Sequence, residues 1–283
     1  MHGSVSIAQN IFPDTVSRSA YRNANANRGE LQVYYQPIVS LHDGHLSGFE
    51  ALIRWQRPDF GLVAPGEFIP VAEETGLIVT IGSWVFREAC SQMCAWHLQF
   101  PSEPPLTIAV NFSGKQFIQP DLVEQVVQIL RETGLDPRSL GIEFTESVAM
   151  QDAERTSLVL SELKALGVQT SIDDFGTGYS SLSHLRRLPL DVLKLDRSFV
   201  SEMLNNNESR EIVHTIISLA HILCMDVVAE GVETVEQANQ LRSLGCKYAQ
   251  GYFFSKPMTQ AMAQTLIGSG VREVSLPVSL FHE

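Results

Sequence analysis

After Pro105 the sequence alternates regularly between short apolar runs and helical segments. Runs such as LTIAVNFS, LGIEFTES and LDVLKLD have the length of strands, and segments of about 10–15 residues with apolar side chains at helical spacing separate them. This alternation is typical of βαβ units that build a parallel sheet. Together with two strands that precede them, the runs number about eight, which favours a closed barrel over an open sheet.

The predicted barrel opens with a hairpin. LQVYYQPIVSL and LSGFEALIRW have the composition of strands, and HDGH between them is a turn. A tight turn joins only antiparallel neighbours. The sequence therefore predicts an α/β fold, a TIM-like (β/α)8 barrel with one antiparallel strand near the N-terminus. We expect this domain to span residues 30–267, after an irregular lead-in (1–29) and before a C-terminal tail (268–283).

Composition argues against several classes of function. Asp and Glu number 32 against 20 Lys and Arg, a formal net charge of −12, so binding along a nucleic-acid polymer, which needs a basic face, is not expected. The chain has no apolar run of roughly 18 or more residues, so we expect no membrane insertion. The eight histidines contain no HxxxH pair, which argues against a zinc site built from histidine.

Cysteine usage fits a reducing compartment. The four cysteines, Cys90, Cys94, Cys224 and Cys246, contain no CxxC pair, and the N-terminus lacks the charged start and long apolar core of a secretory signal. We expect Cys90 and Cys94, four apart in a helical segment, to be buried small hydrophobes. A cytoplasmic location fits best.

Acidic and amide side chains recur where the apolar runs end. In a parallel barrel the carboxyl ends of the strands meet at one rim, which carries the active site of this architecture. Carboxylates that converge there repel one another, and divalent cations relieve the repulsion. Oxygen donors without Cys or His favour Mg²⁺, Mn²⁺ or Ca²⁺ over zinc or copper. The residues concerned are Glu50, Asn111, Glu143, Glu146, Asp173, Asp174, Asp196, Glu230 and Glu233, with Lys194 among them in the run LDVLKLD, and the expectation of a place at the rim is weakest for Glu50.

The adjacent carboxylates Asp173 and Asp174 suit a site for two ions. One carboxylate can bridge both ions while its neighbour binds the second. Two metal ions about 3.5–4 Å apart are the usual means of in-line displacement at phosphorus. The pattern therefore predicts metal-assisted phosphoryl chemistry at the rim.

Each of these residues also has a local explanation in which it does no chemistry. Ion pairing within a strand, turn formation, helix capping and surface exposure account for them one at a time. A shared site accounts for all of them together, because they stand at the same end of consecutive units. The local explanations are an ion pair for Glu50 and Arg54, a turn for Asn111 and for DDFGTG, caps for Glu143, Glu146, Glu230 and Glu233, and exposure for Lys194.

Seven motifs carry a resemblance to a known family. In chain order they are FEALIRW, VNFSGKQF, IEFTES, SIDDFGTGYSSL, LPLDVLKLD, VVAEGVET and AQGYFFSKP. Over residues 30–265 they resemble the EAL-domain family, whose enzymes are bacterial phosphodiesterases specific for cyclic-di-GMP. The resemblance implies hydrolysis of cyclic-di-GMP to linear 5'-pGpG with two Mg²⁺ or Mn²⁺ ions, inhibition by Ca²⁺, and a homodimer. It also implies a part in second-messenger control of biofilm formation and motility.

The resemblance assigns metal-binding and catalytic roles by position. Lys194 would orient the attacking water, with Glu230 and Glu50 as the other catalytic residues. Asp173 would bridge the two ions. The ligands of the first ion would be Glu50, Asn111, Glu143 and Asp173, and those of the second would be Asp173, Asp174 and Glu230.

It also assigns residues around these ligands. Arg54 would contact a phosphate of the substrate. Glu146 would brace the loop 174–181, which links the metal site to the dimer interface, and Glu233 would support the site from behind its ligands. The full set of substrate-binding residues implied is Gln36, Leu52, Arg54, Asp196 and Gln250.

Two other functions stay open. The same barrel serves in non-catalytic modules that bind cyclic-di-GMP or a protein partner and that lack metal ligands, whereas this chain lacks none. A different metal-dependent barrel enzyme is the remaining alternative. One departure from the family pattern is Cys224, where a glycine is more usual. Cysteine is less favourable than glycine at the position that ends a helix.

Overall fold

The computed structural model describes residues 29–58, 60–176 and 185–269 of the chain. Nearly all of the predicted lead-in, the tail after residue 269 and residues 177–181 of the predicted loop lie outside these ranges. The predicted helix SLSHLRRL also begins outside them. Within the described ranges, no helix combines the length and apolar character that crossing a bilayer requires.

Nine strands form one sheet in the described chain. Each predicted apolar run contains one strand, and β3 is a short addition that follows the predicted hairpin. The strands are β1 (Leu31–Ser40), β2 (Leu46–Arg57), β3 (Gly61–Val63), β4 (Thr107–Asn111), β5 (Leu140–Thr145), β6 (Gln169–Phe175), β7 (Val192–Leu195), β8 (Asp226–Ala229) and β9 (Tyr248–Ala249).

Helices follow the strands and cover the outside of the sheet. Gly134 ends one of them in the left-handed conformation, as its position in the sequence predicts. The α-helices of the described ranges are α1 (Pro65–Thr75), α2 (Ile78–Gln99), α3 (Gly114–Phe117), α4 (Leu122–Thr133), α5 (Glu146–Gln151), α6 (Ala153–Leu166), α7 (Arg197–Glu202), α8 (Asn207–Ile222), α9 (Val235–Ser243) and α10 (Gln260–Gly268).

Eight of the strands close into a barrel. Their order is β1-β9-β8-β7-β6-β5-β4-β2, and pairing of β1 with β2 completes the ring. β1 is antiparallel to both of its neighbours, whereas the other pairings in the ring are parallel. β3 pairs with the outer end of β2. The predicted TIM-like barrel with one antiparallel strand is confirmed.

The barrel strands pack one face against the helices and turn the other face inward. On β4, Ile108 and Val110 belong to the main core and are 0% and 1% exposed. The alternate residues Ala109 and Asn111 lie on the opposite face, because successive side chains of a strand point to opposite sides. Inward-facing side chains near the carboxyl ends of the strands therefore converge at one rim.

The β1–β2 hairpin is longer than the rest of the barrel. Glu50, which ends an apolar run in the sequence, lies inside β2, because this strand stays paired with β1 until Trp55 meets Leu31. The hairpin therefore rises above the rim as a two-stranded ribbon. Its outer end provides a side wall for whatever binds there.

The last strand is shorter than its sequence predicts. KYAQGYFFS reads as a strand, but β9 is limited to Tyr248–Ala249. The chain then turns at Gly251, whose φ is 157°. Backbone hydrogen bonds link Val232 to Gln250 and to Phe253 across this turn. The turn places Gln250 at the rim.

Three short helices, α3, α5 and α7, were not predicted. Each begins one to three residues after a strand ends, and each is too short to show helical periodicity in a sequence window. Polar caps start two of them: Ser113 accepts from the backbone of Gln116, and Asp196 accepts from the backbone of Ser198.

The cysteines are free thiols, as expected. Cys90 is buried within α2, and Cys94 is half-buried rather than buried. Cys224 lies just after α8 with a φ of 58°, in the left-handed region. Its place is therefore the one where a glycine ends a helix most easily.

Candidate active site

Lys194 is the centre of a polar cluster at the rim. β7 carries it inward between β6 and β8, and the residue is 1% exposed. Its ammonium group lies 2.7 Å from carboxylate oxygens of Glu143 and Glu230, 3.3 Å from Glu50 and 3.5 Å from Asp173. A buried charge is tolerated where opposite charges pair with it. The structure thus brings together five residues that the sequence predicts for one site.

Two side-chain amides hold the Glu50 carboxylate. Asn111 Nδ2 donates to Oε1 at 2.5 Å, and Gln250 Nε2 donates to Oε2 at 2.7 Å. Gln250 Nε2 also donates to Glu230 Oε1 at 2.9 Å. The other amide atom, Gln250 Oε1, is buried and has no hydrogen-bond partner in the described structure. Since buried polar atoms normally have a partner, this atom indicates a site that a bound group completes.

Burial and charge set the protonation of the glutamates. Burial raises the pKa of Glu143 well above its usual value and raises the pKa of Glu230 to about 7, although Lys194 opposes both shifts. Burial also acts on Glu50, but the charge of Lys194 and the amide donors outweigh it and lower the pKa of Glu50. Burial disfavours the charge of Lys194, yet the surrounding carboxylates raise the pKa of Lys194 well above its usual value.

Three carboxylates meet beside this cluster. Asp173, Asp174 and Glu230 have carboxylate oxygens that lie within 4.8 Å of one another. Burial and the neighbouring charge of Asp173 raise the pKa of Asp174. Asp174 also has a φ of 54°, a conformation that is rare outside glycine, asparagine and aspartate. Oxygen donors, excess negative charge and this spacing fit a divalent cation.

The β1–β2 ribbon forms a wall above the acidic cluster. Directly opposite residues of an antiparallel pair share a face of the sheet. Gln36 and Glu50 are such a pair at the site. Because side chains alternate along a strand, the next two pairs on this face toward the outer end of the ribbon are Tyr34 with Leu52 and Gln32 with Arg54. The side chains of this wall are Gln36, Glu50, Tyr34, Leu52, Gln32 and Arg54.

Arg54 provides the positive charge of this wall. Its guanidinium donates from Nη1 to the Ile53 carbonyl oxygen at 2.8 Å and lies 5.7 Å from the centroid of the Tyr34 ring. A cation at this distance from an aromatic face is attracted to it. Arg54 and Glu50 form no ion pair in the described chain, so the local explanation for these two residues is wrong. The arginine is left facing the mouth of the site.

Glu146 and Glu233 differ in burial and in local contacts. Glu146 is 4% exposed, and its Oε2 accepts a hydrogen bond from the backbone N–H of Gly176 at 3.1 Å, where the predicted loop begins. Glu233 is exposed, and its backbone N–H donates to Gln237 Oε1 at 2.8 Å. The structure therefore places Glu146 under the loop and Glu233 at the start of α9.

Gln36 and Asp196 complete the predicted set. Gln36 is buried, and its Nε2 donates to the Ser255 carbonyl oxygen at 3.4 Å. Asp196 is half-buried, and its Oδ1 accepts from the backbone N–H of Ser198 at 2.9 Å. Both side chains thus have structural partners as well as places near the rim.

Sequence reasoning missed two residues of the wall, Tyr34 and Gln32. Both stand on the face that carries Gln36, at intervals of two residues along β1. The two-residue period of a strand is the signal that finds them, once Gln36 is placed at the site. The antiparallel pairing then puts them opposite Leu52 and Arg54.

Comparison with known proteins identifies one family. The sequence model of the EAL domain family matches residues 18–257 of this chain. The bifunctional diguanylate cyclase/cyclic di-GMP phosphodiesterase MucR of Pseudomonas aeruginosa is 46% identical over 235 residues, which are 82% of this chain and 33% of MucR. The cyclic di-GMP phosphodiesterase NbdA of the same organism is 42% identical over 238 residues, 84% of this chain and 30% of NbdA. The chain thus spans about a third of the length of the curated relatives that it matches.

Solved structures share the barrel. The PaMucR phosphodiesterase in a c-di-GMP complex has a TM-score of 0.82 and 44% identity, covering 87% of this chain and 98% of that one. The FimX EAL domain from Pseudomonas aeruginosa bound to c-di-GMP has a TM-score of 0.76 and 27% identity, with coverage of 87% and 98%. The range that the family model matches contains every rim residue described above. This chain belongs to the EAL domain family.

Proposed function

We propose that this EAL domain hydrolyses cyclic-di-GMP to linear 5'-pGpG with the help of two divalent metal ions, Mg²⁺ or Mn²⁺. The observation that carries the proposal is the complete acidic cluster around Lys194, whose ammonium group lies within 3.5 Å of four carboxylates. Two relatives, MucR and NbdA, are phosphodiesterases of cyclic di-GMP, which supports this substrate.

The donor set of the cluster fits the two ions. When bound, they supply positive charge to the phosphate and lower the pKa of a water molecule. Asp173 would belong to both sites, since it lies beside Lys194 on one side and Asp174 on the other. The remaining ligands would be Glu50, Asn111 and Glu143 for the first ion, and Asp174 and Glu230 for the second.

Lys194 and two glutamates would prepare the water. Lys194 Nζ would orient it by donating a hydrogen bond. Glu230, whose Oε1 lies 2.7 Å from Lys194 Nζ, would accept a proton from this water as the general base. Glu50 has a lowered pKa and is held by Asn111 and Gln250, so it would stay ionised in a fixed orientation.

The wall of the β1–β2 ribbon would hold the substrate. Cyclic-di-GMP carries negative phosphodiesters, and Arg54 provides a positive charge on this wall. Leu52 offers an apolar contact next to it, and Tyr34 offers an aromatic one. Gln36, Asp196 and Gln250 would supply polar contacts to the nucleotide.

The proposal extends to the parts around the site. Glu146 would brace the loop 174–181 through its bond to Gly176, and this loop would connect the metal site to a homodimer interface. Glu233 would support the site at the start of α9. We place the catalytic domain at residues 30–267 and the protein in the cytoplasm.

One assay tests the proposal. The purified protein, incubated with cyclic-di-GMP and Mg²⁺ or Mn²⁺, should release pGpG, which chromatography separates from the substrate. Glu50→Ala should release none, because it removes a ligand and the acceptor of two amide hydrogen bonds. Glu124→Ala, at an exposed position on α4, is the matched control and should leave turnover unchanged.

The outcomes separate the alternatives. Binding of cyclic-di-GMP without release of pGpG would favour the non-catalytic module. Hydrolysis of simple phosphodiesters but not of cyclic-di-GMP would favour another metal-dependent enzyme. Ca²⁺ should compete with Mg²⁺ and slow turnover, since its larger and looser coordination shell positions water poorly. Equal rates with the two ions would count against the proposed pair of metal ions.

A further inference from the structure

A cavity of about 100 Å³ lies inside the barrel beneath the acidic cluster, and we call it the floor cavity. Its walls are the inner faces of the strands. They include residues that stand two positions before a rim residue on the same strand, and so one layer deeper in the barrel. Among them are Ala109, Gly141, Ser171, Val192 and Val228.

Small side chains create this space. Ala109, Gly141 and Ser171 follow one another around the barrel on β4, β5 and β6, and none of them reaches the barrel axis. On the outer face of the same strands, Ile142 and Ile172 are 0% exposed, so packing against the helices is complete. The unfilled volume is therefore confined to the interior of the barrel.

Two buried polar residues stand side by side on adjacent strands at the top of the floor cavity. Glu143 is 2% exposed, and Lys194 bonds to its Oε2, whereas Oε1 has no partner in the described structure. Ser171 is 4% exposed and stands directly opposite Glu143 in the β5–β6 ladder. The Ser171 hydroxyl likewise has no partner among the described residues. Buried polar groups without a protein partner are normally bonded to water.

The floor cavity has its own access to solvent. Gln169, which is exposed, and Asp226, which is half-buried, line its lower part. Both lie at the amino-terminal starts of their strands, at the end of the barrel opposite the rim. Water therefore reaches Glu143 without passing the mouth where substrate would bind.

We propose that the floor cavity is a water-binding site, in which ordered water bridges the Ser171 hydroxyl and the Glu143 carboxylate. Its volume accommodates about three water molecules at roughly 30 Å³ each. The bridge holds the Glu143 carboxylate from below while Lys194 holds it from the side. Ser171 is thus a positioning residue for a metal ligand, a role that rests on the proposed function.

The expected effect follows from how such supports act in metal sites. Partners that orient a ligand change metal affinity or activity by about 10- to 100-fold when they are removed. Ser171→Val fills part of the floor cavity and removes the hydroxyl, so its Mn²⁺ affinity, measured by calorimetry, should fall by about this factor. Ser171→Thr introduces a side chain of nearly the same volume as valine but keeps the hydroxyl, so this variant should retain the Mn²⁺ affinity of the unaltered protein.

Two measurements need no metal. A high-resolution crystal structure of the metal-free protein should contain water bonded to Ser171 and Glu143. Val228→Thr adds a hydroxyl to the cavity wall at almost constant volume, and its melting temperature should stay unchanged because water solvates the new group. A dry cavity would leave that hydroxyl unsatisfied and lower the melting temperature.

An empty cavity in the crystal structure would overturn the proposal. Ser171→Val with a raised melting temperature and unchanged Mn²⁺ affinity would overturn it as well, because filling a dry cavity stabilises a core. Absence of Mn²⁺ binding by the unaltered protein would instead count against the proposed function. In that case the crystal structure and Val228→Thr still decide whether the floor cavity holds water.

Discussion

Lys194 and Glu143 form a 2.7 Å ion pair in which neither residue is more than 2% exposed. Glu143 has a raised pKa despite this partner, so the lysine does not fully balance the carboxylates around it. The metal-free EAL domain thus carries excess negative charge in its barrel. Removing the lysine should make that excess severe.

Lys194→Met should be destabilised by about 3–5 kcal/mol without metal, because it leaves buried carboxylates without their cation. Mn²⁺ should restore part of this loss by supplying positive charge. Turnover should fall by about 10²–10³-fold, the usual cost of removing one preorganised hydrogen-bond donor. Denaturant titration in EDTA and in Mn²⁺ measures the first two effects.

Lys247→Met is the matched control for this variant. Lys247 and Asp226 form a 2.8 Å ion pair with both side chains about half exposed. Exposed pairs contribute about 0–1 kcal/mol, so the control should stay near the unaltered protein in both buffers. Equal losses in the two variants would contradict the central role of the buried lysine.

Stability of the metal-free protein should decrease as pH rises. Burial raises the pKa of Glu230 from its usual 4.5 to about 7, so the folded state holds this proton more tightly than the unfolded state. The folded state is therefore favoured at low pH, and the free energy of unfolding falls between the two pKa values. The loss is roughly 3 kcal/mol for this group, and Glu143 shifts in the same direction.

Denaturant titrations in EDTA from about pH 5 to about pH 8 measure this slope. Glu230→Gln should flatten it, because the amide does not titrate. Mn²⁺ should also flatten it, since the ions offset the carboxylate charges. A stability that rises with pH through this window would contradict the pKa shift of Glu230.

Cys224→Gly should stabilise the protein by about 1 kcal/mol. Cys224 holds a left-handed conformation with a φ of 58° and donates its backbone N–H to the His221 carbonyl oxygen at the end of α8. A side chain costs about 1–2 kcal/mol in this conformation, and glycine avoids that cost. Cys224→Ala keeps a Cβ and should not gain stability. Thermal unfolding of both variants measures the difference, and equal melting temperatures would refute the strain.

Gly251→Ala should reduce both stability and turnover. An added Cβ would overlap the backbone of Val232, which bonds to Gln250 on the other side of the turn. Relief of the overlap would move Gln250 and its bond to Glu50. Gly66→Ala, in α1 with open space around the new Cβ, is the control and should be neutral or slightly stabilising. Full activity of Gly251→Ala would show that the turn does not position Gln250.

Tyr34→Ala should raise the KM for cyclic-di-GMP about tenfold, because an aromatic ring that stacks on a base contributes about 1–3 kcal/mol. Tyr34→Phe keeps the ring and should keep the KM. Neither variant should change kcat strongly, since the ring lies one pair outside the acidic cluster. Steady-state kinetics separate these effects. An unchanged KM in Tyr34→Ala would show that Tyr34 does not contact the substrate.

The barrel and most of its rim could be predicted from the sequence. Each apolar run ends in a polar residue, and parallel strands bring such ends together, so Glu143, Asp173 and Lys194 were placed at one site by position alone. The antiparallel first strand followed from the short HDGH turn. These features are local, and local patterns are what a sequence displays directly.

Features that depend on closure of the barrel could not be predicted. The place of Tyr34 opposite Leu52 depends on the register of β1 and β2, which the two-residue period of β1 alone does not give. The pKa of Glu230 depends on how deeply the closed barrel buries it. The floor cavity exists because small residues of separate strands come to lie side by side. None of these follows from the spacing of residues within one motif.

The reversed direction of β1 has a mechanical consequence. In a barrel of parallel strands the first strand starts at the floor, but here Leu31 starts at the rim, and Gln32 faces Arg54 there. Glu30 fastens this point with bonds to the Trp55 indole and the Gln56 backbone. A force applied to the chain ahead of residue 29 would therefore be transmitted to the outer end of the β1–β2 ribbon, where Arg54 lies, and not to the opposite end of the barrel.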